Sequence, residues 1–438
     1  MDLVRIEGRT SREVVDSIER AVHAGMMAPG DVVPSVRSLA SQLKISSATV
    51  AAAYRELRNR GVLIGSVGKD TRISMRPPLA SRLGDALPEG VRDLSDGNPD
   101  PRLLPSLHDA AQACRFEQFR YGDATLLPGM AQLATRQFPE FDLREDQVCL
   151  ASGAMDGVER VLTAWLKPGD VVCVEDPCYT GVLDLIRALG LRPLPVAVDE
   201  RGPLPDSLGK ALRTRVDACI FTPRAHNPTS AAVDAERAAG LGNVLKHHPE
   251  VPVVENDHAG PVAGHSYHGL VPGRRNWVAI RSVSKSLGPD LRLSFLAGDV
   301  MTISRVEGRQ RLGAGWVSHI LQGLVLHLLS DAGVRRLVAK ADRTYTRRRK
   351  DFVAELAARS VQAVGRSGLN VMVPVPEESS TLRLLQDRGW LVRAGESHRL
   401  HSPPFVRVTI SSLDAEDAAE LAADFETALH PGRRSHLA

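Results

Sequence analysis

The stretch Ser282-Val283-Ser284-Lys285-Ser286-Leu287-Gly288-Pro289-Asp290-Leu291-Arg292 sets a lysine close to serines and an arginine. A lysine amine forms a Schiff base with an aldehyde only after it loses its proton, which requires apolar or positively charged neighbours. Ser282 can donate to a phosphate oxygen, and Arg292 can form a charge-assisted pair with the same group. The stretch is therefore typical of a site that holds a phosphorylated aldehyde on Lys285, although a serine-lysine pair alone carries little weight.

The chain before this stretch alternates between strand-like and helical runs. The strand-like runs are Val148–Leu150, Val171–Val174, Ala218–Phe221 and Val251–Val254, and helical runs follow Gly153, Tyr179 and Ala235. Such alternation predicts βα units around a mostly parallel sheet, whose ligands bind at the carboxyl ends of the strands. We therefore expect an α/β fold for this part of the chain.

The C-terminal part predicts a smaller domain. Strand-like runs lie at 371–373, 390–392 and 406–408, and residues 317–330 are apolar at helical spacing. The basic run Tyr345-Thr346-Arg347-Arg348-Arg349-Lys350 is predicted to begin an amphipathic helix. A solvated helix face is the simpler interpretation of that run, and a contact with DNA or with another domain is the alternative.

Three further segments carry chemistry that suits the same kind of site. Ser152-Gly153-Ala154-Met155 follows a strand and opens a helix, so its backbone N–H groups can bind a phosphate. The amide of Asn227 can bond a phenolic oxygen on a pyridine ring. The segment Glu255-Asn256-Asp257-His258 ends a strand and can supply a carboxylate for the ring nitrogen.

The first part of the chain predicts a winged helix-turn-helix. Ser11 is expected to cap a first helix, Ser35 a second, and Ser46 a third that stops at Gly61. Two strand-like runs flank the glycine-rich turn at residues 65–70 and predict a wing. A three-helix bundle that binds another protein is the alternative.

In such a unit the start of the third helix faces base edges, while other polar residues reach phosphates. The residues predicted to bind DNA are Ser35, Arg37, Ser47, Ala48, Thr49, Tyr54, Arg55 and Lys69. Charge agrees with this placement, because residues 1–76 hold 12 Lys/Arg against 8 Asp/Glu while the whole chain has a net charge of only +3.

Length and composition limit the remaining possibilities. At 438 residues with 43% hydrophobic content, the chain fits a small domain and a large one. The five cysteines include no Cys-x-x-Cys pair, so we expect reduced core thiols and neither a disulfide framework nor a metal site. The sequence has no apolar signal core and no membrane-length apolar run, so we expect a cytoplasmic protein without a membrane contact.

Residues 11–73 resemble the winged-helix domain of GntR-type bacterial regulators. The resemblance rests on Pro34-Ser35-Val36-Arg37, Leu39-Ala40, Thr49-Val50, Tyr54-Arg55-Glu56-Leu57 and Gly61, in order. It departs at the wing, where such domains usually have Gly-Thr and this chain has Asp70-Thr71. An acidic residue there is expected to weaken DNA affinity slightly.

Residues 90–430 resemble the fold-type I aminotransferases, which bind pyridoxal 5′-phosphate. The motifs that carry the resemblance are Tyr121, Ser152-Gly153-Ala154, Pro168-Gly169-Asp170, Glu175-Asp176-Pro177-Cys178-Tyr179, Asn227-Pro228-Thr229, Ser284-Lys285 and Arg407. The resemblance implies that Lys285 carries the cofactor as an internal aldimine and that Tyr179 stacks near its ring. It also implies that Arg407 clamps the α-carboxylate of an amino-acid ligand. The implied cofactor-binding residues are Ser152, Gly153, Ala154, Met155, Tyr179, Asn227, Asn256, Asp257, His258, Ser282, Ser284, Lys285 and Arg292.

Two departures bear on catalysis. The family usually has Glu-Asp-Asp and a tyrosine where this chain has Glu255-Asn256-Asp257-His258. An asparagine does not stabilise a protonated pyridine ring, which is the electron sink of a transaminase. Unless Asp257 takes over by a one-residue shift, we expect cofactor binding with weak catalysis or none. A smaller departure is Ser230, where the family has a glycine.

A winged helix joined to an aminotransferase-like domain is the arrangement of MocR-type regulators, a subgroup of the GntR family. The resemblance implies a DNA-binding domain at 1–76, a linker at 77–92, and an effector domain at 93–438 with a small C-terminal subdomain from about 320. It implies a homodimeric transcriptional regulator that senses pyridoxal phosphate or an amino compound through Lys285. The alternatives are an active aminotransferase that carries a DNA-binding domain, and a DNA-binding protein whose large domain only dimerises.

Overall fold

The computed structural model describes residues 6–59, 62–64, 71–73, 90–271 and 274–430. Two compact units divide the chain. The first comprises Met1–Asp85, Lys167–Asp170 and Leu183–Pro193, and the second comprises Ala86–Leu166, Val171–Val182 and Leu194–Ala438. Within the described ranges, no helix is long and apolar enough to cross a membrane.

Three helices and a pair of antiparallel strands form the N-terminal unit. They are α1 (Ser11–His23), α2 (Val36–Leu43), α3 (Ser47–Asn59), β1 (Leu63–Ile64) and β2 (Arg72–Ile73). Val14, Ile18, Leu39 and Leu57 are fully buried and hold the three helices around one core. Both predicted wing strands are present, whereas Gly61 and the turn at 65–70 lie outside the described residues.

Local capping chemistry sets where these helices begin. The first helix was expected to be capped by Ser11, but the cap is Thr10, whose hydroxyl accepts from Glu13 N at 3.3 Å. The Glu13 carboxylate accepts in return from the backbone N–H of Thr10, which completes a capping box. Ser35 caps α2 and Ser46 caps α3, as predicted, with hydroxyls that accept from the N–H three residues later.

An eight-stranded sheet forms the centre of the second unit, after the short strand β3 (Arg92–Asp93). Its strands are β4 (Val148–Ala151), β5 (Val171–Asp176), β6 (Arg192–Asp199), β7 (Gly202–Pro203), β8 (Ala218–Phe221), β9 (Val253–Asp257), β10 (Trp277–Ser282) and β11 (Ser294–Gly298). They lie in the order β4-β11-β10-β9-β8-β5-β6-β7. Strands β10, β9, β8 and β5 are parallel, and β11 runs antiparallel to both of its neighbours. The predicted α/β fold with a mostly parallel sheet is confirmed.

Helices connect these strands and cover them. They are α4 (Leu107–Ala113), α5 (Met130–Arg136), α6 (Ala154–Trp165), α7 (Thr180–Ala188), α8 (Pro205–Leu212), α9 (Ala235–Leu245), α10 (Val300–Leu312) and α11 (His319–Ser330). The strand expected at 251–254 begins two residues later and extends to Asp257. The strand therefore includes Glu255, Asn256 and Asp257, and His258 follows its end.

The C-terminal region packs around a second core that includes Phe352, Trp390 and Phe425. Its elements are α12 (Ala332–Ala358), β12 (Asn370–Pro374), α13 (Glu378–Asp387), β13 (Trp390–Leu391), β14 (Arg393–Ala394), β15 (Phe405–Thr409) and α14 (Ala415–Leu429). Strands β12, β15 and β14 form an antiparallel sheet, while β13 pairs in parallel with β3.

The long helix α12 corrects one expectation. The helix was predicted to begin at Tyr345, but it begins at Ala332, where the Asp331 carboxylate accepts from Val334 N at 2.7 Å. Tyr345 is fully buried near the middle of the helix, so it does not mark the start of the helix. Asp331 is the residue in the sequence that marks the start of this helix, because aspartate is a favoured N-cap; the basic run at 345–350 lies inside the helix.

The capping box at Thr10 generates a stability prediction. Thr10→Ala removes the hydroxyl that binds Glu13 N, and we expect a loss of about 1 kcal/mol in the stability of α1. The N-terminal amides of α1 should then exchange with solvent about fivefold faster. Hydrogen exchange followed by mass spectrometry measures this, with Thr10→Ser as the control that keeps the hydroxyl. Equal exchange in Thr10→Ala and the control would contradict the assigned cap.

Candidate functional site

Lys285 lies just after β10 and is half-buried. Its Nζ donates to the carbonyl oxygen of Gly97 at 2.7 Å. Burial lowers the pKa of Lys285 to about 8; the carboxylate of Asp96 opposes that shift and the guanidinium of Arg407 adds to it. Near neutral pH a larger share of this amine is therefore unprotonated than for an exposed lysine, which is the condition for attack on an aldehyde.

The N-terminus of α6 forms an anion-binding corner beside an arginine. Gly153 caps the helix without a side-chain hydrogen bond, and its φ of 99° favours glycine. A Cβ at Gly153 would lie 2.5 Å from Arg292 Nη2, so only glycine leaves room for that guanidinium. Arg292 Nη2 donates to Ser152 O at 2.9 Å, which fixes the positive charge at the helix end. The corner combines helix N–H groups with a guanidinium, as a phosphate requires.

The end of β10 contributes hydroxyl groups to the same edge of the sheet. Ser282 is buried and donates to Ser284 Oγ at 3.1 Å, and its own Oγ accepts from Ser284 N at 3.2 Å. Ala154 and Met155 are the first two residues of α6, where backbone N–H groups have no partner within the helix. The predicted phosphate-binding residues therefore lie on the turns that follow β4 and β10.

Strand β9 presents Asn256 and His258 on the side that faces Lys285. Asn256 is buried, and its Oδ1 has no hydrogen-bond partner within the described residues. Burial, together with the positive charge of Lys285, lowers the pKa of His258 to about 4, so its imidazole is neutral at physiological pH. A buried, unpartnered amide oxygen is costly unless a ligand satisfies it.

Asp257 does not take the place of Asn256. Neighbouring residues of a strand point to opposite faces, and the Asp257 carboxylate lies among arginines on the far side. Its oxygens accept from Arg224 Nη2 and from Arg281 Nε, both at 2.8 Å. These charges hold the pKa of the buried Asp257 carboxyl below its usual value. The expectation that Asp257 binds the cofactor is corrected, because its carboxylate is committed to this pair of ion pairs.

Arg407 on β15 is a buried guanidinium with no carboxylate partner. Its Nη1 donates to Asn227 Oδ1 at 3.0 Å, and Nη2 donates to Ser95 O. It forms no ion pair with any described residue, and its Nε has no partner. Burial lowers the pKa of Arg407 to about 10, with the charge of Arg393 acting in the same direction. Such a group is poised to bind an anion, and a ligand carboxylate has the matching shape.

Two predicted aromatic positions differ in their surroundings. Tyr179 is 40% exposed at the start of α7, and its ring lies against Gly181, where a Cβ would come within 2.6 Å. Tyr121 is 95% exposed and packs edge-on against Trp316, with ring centroids 5.7 Å apart. Asn227 directs its amide oxygen at Arg407, so its amide nitrogen is left as the donor predicted for a phenolic oxygen.

The structure adds two polar residues that sequence reasoning missed. His226 is buried, with Nδ1 2.7 Å from Thr229 Oγ1 and Nε2 3.2 Å from a carboxylate oxygen of Glu175. His398 is buried, and its Nδ1 lies 2.9 Å from the Cys178 carbonyl oxygen. Burial, together with the positive charge of Arg407, lowers the pKa of His398 to about 3. His226 adjoins Asn227 in the sequence, which was an available signal, whereas no local pattern points to His398.

On the N-terminal unit, most of the predicted DNA-binding residues are at the surface. Ser35, Arg37, Ser47, Ala48 and Arg55 are exposed, and Lys69 lies outside the described residues. Thr49 is half-buried, and its hydroxyl lies 2.8 Å from Ser46 Oγ at the helix cap.

Tyr54 corrects the prediction that it binds DNA. Its side chain is fully buried, and its hydroxyl donates to Pro34 O at 2.7 Å. Burial raises the pKa of the Tyr54 phenol. The residue therefore positions the start of α2 and does not reach a DNA groove.

The cysteines and the other potential metal ligands are dispersed among the described residues. The five cysteines are reduced thiols; four of them are buried and Cys114 is half-buried. Among the described residues, no group of three or more His, Cys, Asp or Glu side chains lies close enough together to hold a metal ion.

The fold and the site define a helix-turn-helix protein with an aminotransferase-type cofactor domain. Residues 91–425 match the family described as Aminotransferase class I and II, and residues 10–73 match Bacterial regulatory proteins, gntR family. The chain is 37% identical to the vitamin B6 salvage pathway transcriptional repressor PtsJ of Salmonella typhimurium over 97% of this chain and 100% of that relative. The chain therefore belongs to the MocR-type regulators, GntR-family helix-turn-helix proteins that contain an aminotransferase class I and II domain.

A further relative and a solved structure are also similar to this chain. The chain is 28% identical to the pyridoxine biosynthesis transcriptional regulator PdxR of Corynebacterium glutamicum, over 52% of each chain. The fold is similar to that of the α-aminoadipate aminotransferase LysN of Thermus thermophilus, with a TM-score of 0.70, 20% identity, and coverage of 78% of this chain and 92% of that one.

Pyridoxal 5′-phosphate is the cofactor of this family, and the residues of the site fit it. The glycine corner at Gly153 with Arg292 suits its phosphate, Lys285 suits its aldehyde, and the buried amide of Asn256, which carries both a donor and an acceptor, suits its ring nitrogen.

The charges around Lys285 generate a pH prediction. The neutral amine is the form that attacks an aldehyde, so the rate of covalent capture of pyridoxal phosphate should rise as pH increases through about 8. Asp96→Asn removes a carboxylate that favours the charged amine, and the midpoint should move to lower pH. Absorbance of the bound cofactor at a series of pH values measures the rate, with Asp96→Glu as the charge-conserving control. An unchanged or higher midpoint in Asp96→Asn would contradict the assigned environment.

Proposed function

We propose that the protein is a transcriptional regulator whose DNA binding changes when pyridoxal 5′-phosphate is held covalently on Lys285. The observation that carries the proposal is the amine of Lys285, whose pKa is lowered to about 8. Asn256 of strand β9 lies in the same site. A helix-turn-helix in the same chain supplies the output. Bound cofactor is the signal, and occupancy of operator DNA is the response.

The neutral side chain at Asn256 favours sensing over catalysis. The cofactor supplies an electron sink when its ring nitrogen is protonated, and a carboxylate is what normally stabilises that proton. The amide oxygen of Asn256 can accept a hydrogen bond but has no charge, and Asp257 is occupied by Arg224 and Arg281. The site therefore keeps the means to bind the cofactor while lacking the group that drives amino-group transfer.

Two classes of signal fit the site. The names of PtsJ and PdxR refer to vitamin B6 salvage and pyridoxine biosynthesis, which favours pyridoxal phosphate itself as the signal for this chain. Arg407 favours a second ligand, because a buried guanidinium without a carboxylate partner suits an amino acid beside the cofactor. Both ligands act through the same lysine.

The output is binding to double-stranded DNA in the cytoplasm. We propose that Ser47 and Ala48 face base edges while Ser35, Arg37 and Arg55 contact phosphates. One recognition helix reads few base pairs, so a homodimer on paired half-sites is the form that we propose binds the operator.

An aminotransferase with an added DNA-binding domain is the second candidate, because Lys285 and Arg407 would both serve it. Asn256→Asp separates the two. If the asparagine is what limits catalysis, the carboxylate should raise the single-turnover rate with an amino-acid donor about tenfold or more, since a charged hydrogen bond contributes about 1.5–3 kcal/mol. Asn256→Gln is the neutral control. A wild-type rate already equal to that of Asn256→Asp would favour the enzyme.

Lys285→Ala tests the sensor directly. The variant should lose the lysine-dependent absorbance band with pyridoxal phosphate and bind operator DNA with an affinity that no longer responds to the cofactor. Basal DNA affinity should remain, because Lys285 belongs to the second unit. Fluorescence anisotropy with and without cofactor measures both affinities, and Lys210→Ala, an exposed lysine on α8, is the control. Equal cofactor responses in Lys285→Ala and wild type would refute the proposal.

A further inference from the structure

The outer face of α12 has a row of basic side chains that the cofactor site does not use. Five exposed residues form this row, which we call the basic row: Arg336, Lys340, Arg343, Arg347 and Lys350. They recur at every third or fourth position, so they lie on one face of the helix. The buried residues Ala341, Tyr345 and Phe352 lie on the opposite face and pack against the C-terminal core.

The other exposed positions on this face are small. They are Ala332, Ala339, Ala354, Ala357 and Ala358. Asp351 is the exposed acid at the edge of the row, and the half-buried Asp342 accepts from Gly264 N at 2.7 Å. Alanines between long basic side chains leave the helix surface open to close approach by a large partner.

The basic row repels itself within the protein. Consecutive members are three or four residues apart, a spacing at which like charges destabilise a helix. None of the five forms an ion pair with a residue in the described part of the chain. Other arginines of the same helix are bound internally: Arg348 pairs with Asp100 at 3.0 Å, and Arg349 donates to Gly368 O at 2.6 Å. The row thus differs from its neighbours in forming no ion pair. Asp342 interacts with Arg343 and Asp351 borders the row, so two acids face five basic residues and a net positive charge is left for an external anion.

We propose that the basic row binds the phosphates of duplex DNA that flanks the operator. The proposal rests on the proposed function, because the helix-turn-helix unit must first bring DNA to the protein. From Arg336 to Lys350 the row extends about 21 Å along the helix. That length matches about six base pairs of one DNA strand. A straight row of charge of one sign, without base-reading amides or aromatic side chains, suits the regularly spaced phosphates of a duplex.

DNA is also favoured over other polyanions because DNA bound by the helix-turn-helix has a high effective concentration near the rest of the molecule. A duplex held by one unit of the chain is presented to the rest of the same molecule at high effective concentration, so weak phosphate contacts become significant. Such contacts add affinity without sequence information, and they require duplex beyond the half-sites.

The triple variant Arg336→Gln/Lys340→Gln/Arg343→Gln tests the proposal in the full-length protein. Glutamine retains helix propensity and removes the charge. Two probes are compared: a duplex of about 20 base pairs, which holds two half-sites one turn apart, and a longer duplex with the same operator and flanks. Affinity is measured against salt concentration by fluorescence anisotropy. A control variant, Lys210→Gln/Arg213→Gln/Lys246→Gln, removes the same charge from exposed positions elsewhere in the second unit.

On the longer duplex, the salt dependence of wild-type binding should exceed that of the triple variant by about 5.4 in slope, because the homodimer loses three charges from each subunit. The affinity advantage of wild type at 50 mM salt should therefore shrink by about 10³-fold at 200 mM. On the short duplex, wild type and the triple variant should bind alike, and the control variant should match wild type on both probes.

Three outcomes would overturn the inference, and they differ in what they leave standing. If wild type binds no duplex at all, the proposed function fails together with the basic row. If wild type and the triple variant bind the longer duplex with the same salt dependence, only the basic row fails. If the triple variant changes the oligomeric state in sedimentation velocity without a change in salt dependence, the row contacts another copy of the protein and does not contact DNA.

Discussion

The cofactor site depends on positive charge that is fully buried at Arg407 and half-buried at Lys285, with no carboxylate in contact. Lys285 and Arg407 lie in the same site, and within the described chain neither forms an ion pair. The oxygens that accept from them are the carbonyls of Gly97 and Ser95 and the amide of Asn227. Neutral acceptors stabilise a buried cation less than a carboxylate does, so the lysine gives up its proton readily and the arginine keeps its capacity to bind an anion. An opposing carboxylate in contact with either group would remove both properties.

The alternation of side chains along β9 directs its two carboxylates away from this site. The strand carries Glu255 and Asp257 on one face, where they meet Tyr267, Arg224 and Arg281. Burial raises the pKa of Glu255 to about 7, so even this carboxyl is stabilised in its neutral form behind the strand. The face toward Lys285 receives an amide and a neutral imidazole instead. A shift of register by one residue would exchange the two faces, but the pairing of β9 with β10 fixes it.

Local chemistry in the sequence predicted a large part of this structure, and tertiary contacts account for the remainder. The caps at Ser35 and Ser46 and the strand-turn-helix at Gly153 are short-range features, so their sequence signals sufficed. The motifs around Lys285 were predicted as a set because strands in βα units end at one edge. The committed carboxylate of Asp257 and the burial of Tyr54 were not predictable, since arginines and a loop distant in sequence determine them.

The hydrogen bonds of residues 94–97 link occupancy of the site to the mobility of that backbone segment. It accepts hydrogen bonds from both cations, through Gly97 and Ser95. A lysine nitrogen that holds a ligand has fewer hydrogens to donate, and an arginine that grips a ligand carboxylate turns from its carbonyl partner. Either event frees an acceptor in the segment that directly follows β3, the first described strand after the N-terminal unit. Ligand binding can thereby change the conformational entropy of residues 94–97, and such a change needs no rigid-body rotation.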